Sequence, residues 1–204
     1  MQERARGRSR CGCPSAVDSS GNPPPKYLPL ACLLAVALLA AGVDLFSKWW
    51  VFRWWAAQGF RATDPRHLIV GDPRHDLIPG YLGVYVTYND GGIFSIGQGR
   101  TSLFILFSAF AIVAILWVFH RYGRMSVWLT VALGLILGGA LGNLWDRICY
   151  GAVRDFIEVH VHDAFRWPAF NLADAFICIG AGMMLLSAFR HSESPASMPR
   201  ESGK

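Results

Sequence analysis

The sequence contains few charged residues for its length. Asp, Glu, Lys and Arg account for 16% of its 204 residues, whereas soluble domains carry about 25%. Basic residues outnumber acidic ones by 19 to 14, but they form no continuous run or stripe. A nucleic-acid-binding protein would need such a basic surface. We therefore expect no nucleic-acid partner.

Cysteines and common metal-binding motifs are also scarce. The chain has five cysteines, and Cys11 and Cys13 lack the second pair of ligands that a structural zinc site requires. Cys32 and Cys178 fall within strongly apolar runs, so no set of cysteines remains for an external disulfide framework. The HExxH motif of zinc peptidases does not occur in the chain. We predict no resident cofactor.

Apolar residues, by contrast, make up 53% of the sequence and are concentrated in four runs of 17 to 21 residues. A helix needs ~20 residues to cross a ~30 Å hydrocarbon core. Helices satisfy their own backbone hydrogen bonds in lipid, whereas a barrel would need alternating strands throughout. We therefore predict an all-α integral membrane protein with four transmembrane helices. The runs cover residues 30–50, 103–119, 127–144 and 170–189.

Two features of these runs predict how the helices are placed. Small residues let helices approach closely in lipid, and the third run contains Gly134, Gly138, Gly139 and Gly142. Aromatic residues anchor helix ends at the membrane interface. Trp49 and Trp50 end the first run, and Trp54 and Trp55 follow it. We expect the glycines to be packing residues and the tryptophans to form an interfacial belt.

The rest of the sequence predicts one membrane domain, residues 30–190, between two tails. Residues 1–29 are rich in Arg, Ser, Gly and Pro, which predicts a disordered basic tail, and residues 191–204 form the second tail. Basic residues lie in both tails and in the short link between the second and third runs. By the positive-inside rule both termini are expected in the cytoplasm. The connections 51–102 and 145–169 would then lie outside.

Two stretches in these outer connections alternate between apolar and polar residues, which predicts short strands. The first ends at Asn89 in Asn-Asp-Gly-Gly. Asn89 is either a turn residue alone or also a hydrogen-bond donor that reaches into a site. In the second strand, alternation places Asp155 on one face and His160 and His162 on the other. These histidines, with Asp163, could form a metal site, and with Asp155 they leave a metal-dependent hydrolase open as an alternative.

The acidic residues that follow the apolar runs are candidates for chemistry, because ionisable groups are costly beside hydrocarbon. Asp155 lies in the second predicted strand and Asp174 at the start of the last run, and the loop between them is long enough to bring their carboxyls together. Adjacent carboxyls share one proton. The ionised carboxyl can accept a proton from an attacking water while the protonated one donates. No serine or cysteine nucleophile has a plausible base in the outer half, so the pair indicates an aspartic protease.

Other charged residues have simpler explanations. Asp44 and Lys48 are four residues apart on one helix face, as in a local ion pair with a snorkelling lysine. Asn143, Asp146 and Arg147 also share a helix face, where Asp146 and Arg147 could form a charge network that holds the loop. A proton-coupled carrier is a further alternative, although its acids would lie at mid-span.

Five motifs occur in order along the four runs. They are Asp44-Leu-Phe-Ser-Lys48, Asn89-Asp-Gly-Gly-Ile-Phe-Ser95, Gly138-Gly-Ala-Leu-Gly-Asn-Leu-Trp-Asp-Arg147, Gly151-Ala-Val-Arg-Asp-Phe156 and Phe170-Asn-Leu-Ala-Asp174. Together they resemble the motif set of lipoprotein signal peptidase, also called signal peptidase II. The resemblance covers residues 30–190.

The resemblance implies a multi-pass aspartic endopeptidase of the bacterial plasma (inner) membrane. Such an enzyme removes signal peptides from prolipoproteins, cutting just before the cysteine that carries a diacylglyceryl group. The family fold implies a small extracytoplasmic β-cradle and a short surface helix, with the active site near the outer face. Similar enzymes need no metal and are blocked by the cyclic peptide globomycin. The expected partners are prolipoprotein substrates, membrane lipid and globomycin-like inhibitors, and we expect a monomer.

The resemblance also implies roles for single residues, with Asp155 and Asp174 as the catalytic pair. Asn171 would position the pair, the substrate contacts would be Asn89, Asn143 and Arg147, and the remaining supporting residues would be Asp44, Lys48, Asp146, Gly142 and Phe156. The sequence departs from the family pattern at two places, which affect the substrate pocket and leave the pair of acids unchanged. Gly92 is followed by the bulky Ile93, and the long outer connection contains an extra segment at 59–76 that could form a lid.

Overall fold

The computed structural model describes residues 28–57, 74–92, 97–122, 125–162 and 164–192. The helices in these ranges are α1 (Leu28–Ala57), α2 (Thr101–Tyr122), α3 (Val127–Tyr150) and α4 (Leu172–Ser192). The strands are β1 (Arg74–Ile78), β2 (Leu82–Asn89), β3 (Val153–Val161) and β4 (Phe165–Arg166). The strands therefore come from the two connections that were predicted to lie outside the membrane.

All four helices are long and apolar enough to cross a membrane, which confirms the predicted fold class. α1 extends well beyond its apolar run, because helical hydrogen bonding continues through the tryptophans that follow. It contains 30 residues and is therefore about 45 Å long at 1.5 Å per residue. A hydrocarbon core is only ~30 Å thick. At least one end of α1 thus projects beyond the hydrocarbon core.

α3 lies between the other helices and packs against α1, α2 and α4. Two consecutive glycines make this possible. A Cβ atom on Gly138 would lie 2.6 Å from the carbonyl oxygen of Ala37 in α1, and one on Gly139 would lie 2.5 Å from that of Ala173 in α4. Backbone oxygens cannot rotate away as side chains can. The predicted packing function of the glycines is therefore confirmed.

The strands form an antiparallel sheet in the order β1-β2-β3-β4. Where β2 pairs with β3, Val84 lies opposite Ile157, but Thr87 lies opposite Asp155. β2 therefore contains one extra residue, a β-bulge. Because successive side chains point to opposite faces, this residue moves the rest of β2 to the other face. Asn89 thereby shares the face of Asp155.

The sheet packs on the projecting end of α1. Trp49, Trp50 and Trp54 are exposed, as expected for an interfacial belt. Trp55 is only 4% exposed, because it packs against residues such as Val86 of the sheet. The prediction of a belt position was therefore wrong for Trp55.

Several expectations concern residues outside the described ranges. They include most of both tails, Ile93, Asp163 and nearly all of the outer segment at 59–76. Within the described ranges, no helix beyond the four spans corresponds to the expected short surface helix.

Candidate active site

Asp155 is buried on β3, where its carboxyl accepts two hydrogen bonds from side-chain amides. Nδ2 of Asn171 donates to Oδ1 at 2.6 Å, and Nδ2 of Asn89 donates to Oδ2 at 3.1 Å. Asn89 also accepts a hydrogen bond from the backbone N–H of Gly91 at 3.0 Å. The two interpretations of Asn89 are thus compatible, since it is a turn residue whose amide reaches Asp155.

Asp174 lies in the first turn of α4. Its Oδ1 accepts a hydrogen bond from Nδ2 of Asn143 at 2.8 Å, and its Oδ2 accepts one from the backbone N–H of Asn171 at 3.3 Å. In return the backbone N–H of Asp174 donates to Oδ1 of Asn171 at 3.1 Å. This reciprocal pair is a capping box, which satisfies donors that a helix start leaves free. It also holds the carboxyl of Asp174 at the helix terminus.

The two carboxyls come together because the chain before α4 pairs with β3. The backbone N–H groups of Phe170 and Ile157 each donate to the other residue's carbonyl, at 3.0 and 2.9 Å. Asn171 follows directly and therefore lies beside Asp155. Its side-chain nitrogen binds Asp155 and its backbone nitrogen binds Asp174. One residue thus contacts both predicted catalytic acids.

The surroundings of Asp155 alter its acidity. Burial raises the pKa of the Asp155 carboxyl to about 7, and the negative charge of Asp174 acts in the same direction. The hydrogen bonds from Asn171 and Asn89 favour the ionised form and oppose the shift. Near neutral pH, Asp155 can therefore hold a proton beside a second carboxyl.

Behind Asp174, a buried group of charges joins α1 to α3. Lys48 is fully buried, and its Nζ donates to Oδ2 of Asp44 at 2.8 Å and to Oδ1 of Asn143 at 2.9 Å. It also lies 3.3 Å from Oδ2 of Asp146. The other oxygen of Asp44 accepts the backbone N–H of Ala173 at 2.9 Å. The predicted ion pair is confirmed, but Lys48 does not snorkel, because its partners lie inside the protein.

Asp146 does not form the expected network with Arg147. Its carboxyl accepts hydrogen bonds from Nη2, Nε and the backbone N–H of Arg154, at 2.7, 3.2 and 3.0 Å. The guanidinium of Arg154 also lies 4.4 Å from the centre of the Tyr150 ring. Neighbouring residues of a helix point about 100° apart, so Asp146 and Arg147 face different surroundings. Sequence reasoning missed Arg154, although it directly precedes Asp155.

Comparisons with known proteins identify the family of this chain. A family model described as Signal peptidase (SPase) II matches residues 36–190, which is most of the chain. The chain belongs to the signal peptidase II family. It is therefore a bacterial membrane protein and a protease. The lipoprotein signal peptidase of Rhodopirellula baltica is 33% identical over 201 residues, which cover 93% of this chain and 84% of that relative.

Other relatives agree over a shorter range. The lipoprotein signal peptidase of a Pseudomonas fluorescens strain is 43% identical over 122 residues, covering 58% of this chain and 72% of the relative. Two solved structures, each described as a bacterial membrane enzyme, share the fold with TM-scores of 0.68 and 0.62 at 22% and 23% identity. They cover 82% and 79% of this chain, and the matches span 93% and 94% of theirs.

In this signal peptidase II, Arg147 points to the loop that follows β2. Its Nη2 donates to the carbonyl oxygen of Gly91 at 3.2 Å, and its guanidinium lies 5.2 Å from the centre of the Phe104 ring. Its Nε is buried and has no hydrogen-bond partner among the residues that the structure describes. A buried N–H group of this kind is costly to leave unpaired.

Gly142 and Phe156 support the site from behind. A Cβ atom on Gly142 would collide with the carboxylate of Asp44, so only glycine leaves room for the ion pair with Lys48. Phe156 is buried in the cluster that contains Trp55 and joins α1 to the sheet. Neither residue bonds to the paired carboxyls in the described part of the chain.

The two histidines of the metal alternative do not converge. His160 is buried, with Nε2 3.6 Å from Asp76 and Nδ1 3.9 Å from Glu158. His162 lies beyond the end of β3, and its Nδ1 is 3.3 Å from the carbonyl oxygen of Gly80. Within the described ranges, no group of three His, Cys, Asp or Glu residues is arranged to hold a metal ion.

Proposed function

We propose that this signal peptidase II is an aspartic endopeptidase that removes the signal peptide from diacylglyceryl-modified prolipoproteins, cutting before the modified cysteine. The relatives that it resembles are named lipoprotein signal peptidases. The proposed chemistry rests on one observation about Asn171. Its side-chain nitrogen donates to the carboxyl of Asp155, and its backbone nitrogen donates to the carboxyl of Asp174. Paired carboxyls at a membrane edge fit a reaction in which water attacks a peptide carbonyl.

In the proposed reaction the two carboxyls have different functions. Asp174 is only half-buried and takes a proton from water while the water oxygen attacks the scissile carbonyl. Asp155, whose pKa of about 7 allows it to be protonated, donates its proton to the carbonyl oxygen. Collapse of the tetrahedral intermediate breaks the C–N bond, and the proton now on Asp174 passes to the leaving amine. One hydroxyl of the intermediate returns its proton to Asp155 as the carbonyl re-forms. The pair ends with one proton, as it began.

Amide and guanidinium groups around the pair are placed to bind an extended substrate. We assign this function to Arg147, whose buried Nε lacks a partner among the described residues, and to Asn89 at the end of β2. Asn143 donates to Asp174, so it both orients that carboxyl and borders the substrate. Asn171 positions the pair, while Asp44, Lys48 and Asp146 hold the helices that carry it.

The proposed orientation places both termini in the cytoplasm and the paired carboxyls near the outer face. Asp174 lies at the beginning of α4, whereas Arg190 lies near its end. Arg121 lies in the last turn of α2, before the short link to α3. Arg190 thus lies at the end of α4 away from Asp174, which fits the positive-inside rule.

Cleavage by purified protein in detergent tests this function. The substrate is a prolipoprotein precursor with its diacylglyceryl group, and the matched control is the same precursor without that group. We expect cleavage of the modified precursor just before the modified cysteine, with EDTA present, as read from the product masses. Cleavage elsewhere, or equal cleavage of both precursors, would contradict the proposed specificity. Loss of activity in EDTA would favour the metal-dependent alternative.

The pH dependence follows from the acidity of Asp155. Because Asp155 must hold a proton in order to donate it, kcat/KM should fall above its pKa of about 7, by about tenfold for each further pH unit. Initial rates measured from about pH 5 to about pH 9 would show this fall in kcat/KM. A constant kcat/KM up to about pH 9 would mean that Asp155 is not the donor.

The same shift gives stability a pH dependence that differs from that of activity. The pKa of Asp155 is raised from 3.8 to about 7 on folding, so the native state binds more protons than the unfolded state between these values. The contribution of Asp155 to stability therefore falls as pH rises across that window and is constant above it. Melting temperatures measured at each pH would separate this effect from the loss of activity.

A further inference from the structure

The side chain of Lys48 ends beside three oxygen atoms. They belong to Asp44 at 2.8 Å, to Asn143 at 2.9 Å and to Asp146 at 3.3 Å from Nζ. An ammonium group has three N–H donors and no acceptor, so these oxygens can satisfy it completely. Full satisfaction matters because the side chain is buried with no exposed surface, where an unpaired charge is strongly destabilising.

The ammonium also determines which way the amide of Asn143 points. An amide has an accepting oxygen on one side and a donating nitrogen on the other. Only the oxygen can meet Lys48, which leaves Nδ2 directed at Asp174, 2.8 Å from its Oδ1. In the flipped orientation, Nδ2 would face an ammonium and Oδ1 would face a carboxylate. Both contacts would then be repulsive.

We propose that Lys48 is a positioning residue for the peptidase reaction, because it holds the Asn143 amide in the orientation that donates to Asp174. The inference rests on the function proposed above, in which Asp174 is a reacting carboxyl. Lys48 acts through Asn143 and is not itself a catalytic residue. α1 thus influences the reaction although it supplies neither acid of the pair.

Asp44 gives the same ion pair a second connection to the site. Its Oδ1 accepts the backbone N–H of Ala173 at 2.9 Å, and Ala173 directly precedes Asp174. One connection therefore runs through the Asn143 side chain and the other through the first turn of α4. Mutation can separate them, since in a chain that lacks the Lys48 ammonium Asp44→Asn removes the charge but retains an oxygen for the Ala173 N–H.

The test compares two substitutions of Lys48 in an Asp44→Asn background, which avoids leaving a buried carboxylate without its ammonium. Lys48→Gln retains an N–H group that can donate to Asn143, whereas Lys48→Met is of similar size and has no donor. Each full-length variant is purified in detergent. Its melting temperature and its kcat and KM for the diacylglyceryl-modified precursor are then compared between the two variants and with those of the wild type.

We expect Lys48→Met to lower kcat about 100-fold, because small displacements of a reacting group have effects of that size. KM should stay within about twofold, because no substrate contact is removed. Lys48→Gln should retain most of the kcat. Equal kcat values for the two variants would overturn the proposal, because they differ mainly in the ability to donate to Asn143.

Combining Lys48→Met with Asn143→Leu distinguishes a lysine that acts through Asn143 from one that only stabilises the fold. If Lys48 acts through Asn143, Lys48→Met causes no further loss of kcat in a chain that already carries Asn143→Leu. Losses that multiply would overturn the proposal. If Lys48→Met does not fold, Lys48→Gln is measured with and without Asn143→Leu. Losses of kcat that multiply would then overturn the proposal in the same way. If instead the proposed function is wrong, Asp174→Asn itself remains active.

Discussion

Replacing either paired acid by its amide is expected to abolish cleavage. Asp155→Asn leaves no acidic proton to donate, and Asp174→Asn leaves no carboxylate to accept one from water. Loss of an essential acid or base that acts as part of a unit lowers kcat by about 10⁴-fold or more. The measurement is single-turnover cleavage of the diacylglyceryl-modified precursor in detergent, with KM determined for any residual activity.

The amides are nearly isosteric with the acids, so both variants should bind substrate and fold. Asp76→Asn is the matched control, because Asp76 is a partly exposed carboxylate on β1 of the same sheet. We expect this control to cleave at the wild-type rate. If Asp155→Asn or Asp174→Asn kept a kcat near that of the wild type while the chain was folded, the two-carboxyl mechanism would be wrong.

Asp146→Leu is expected to cause the largest loss of stability. The carboxylate of Asp146 is fully buried and binds two cations, Arg154 at 2.7 Å and Lys48 at 3.3 Å. Its removal leaves the buried Arg154 without a carboxylate partner among the described residues. Breaking a buried ion pair from one side costs about 3–5 kcal/mol. Thermal unfolding of the purified variant in detergent, followed by tryptophan fluorescence, would measure this loss.

A second substitution tests the cause of that loss. Asp146→Leu combined with Arg154→Met removes both charges, and replacing a buried pair by apolar residues is often close to neutral. We therefore expect the double variant to be more stable than Asp146→Leu alone, although it carries one more mutation. If the two losses simply added, the ion pair would not be what holds β3 to α3.

The sequence alone determined the four spans and the two acids. Apolar runs of membrane length have few alternatives, because backbone groups in lipid must be bonded within the helix. The strands β2 and β3 were predictable from their alternation. Asp155 and Asp174 were recognisable because ionisable residues at the end of an apolar run are costly and hence conspicuous. The matched family model then agreed with the resemblance read from the motifs.

Which residues come into contact depended on the tertiary structure. Asn89 reaches Asp155 because β2 contains an extra residue, and no local pattern reveals a bulge that is defined by the pairing partner. Asp146 binds Arg154 instead of its neighbour Arg147, because the turn at the end of α3 brings β3 back against the helix. Trp55 is buried because the sheet covers it. These contacts join residues on different elements, so periodicity along one segment carries no information about them.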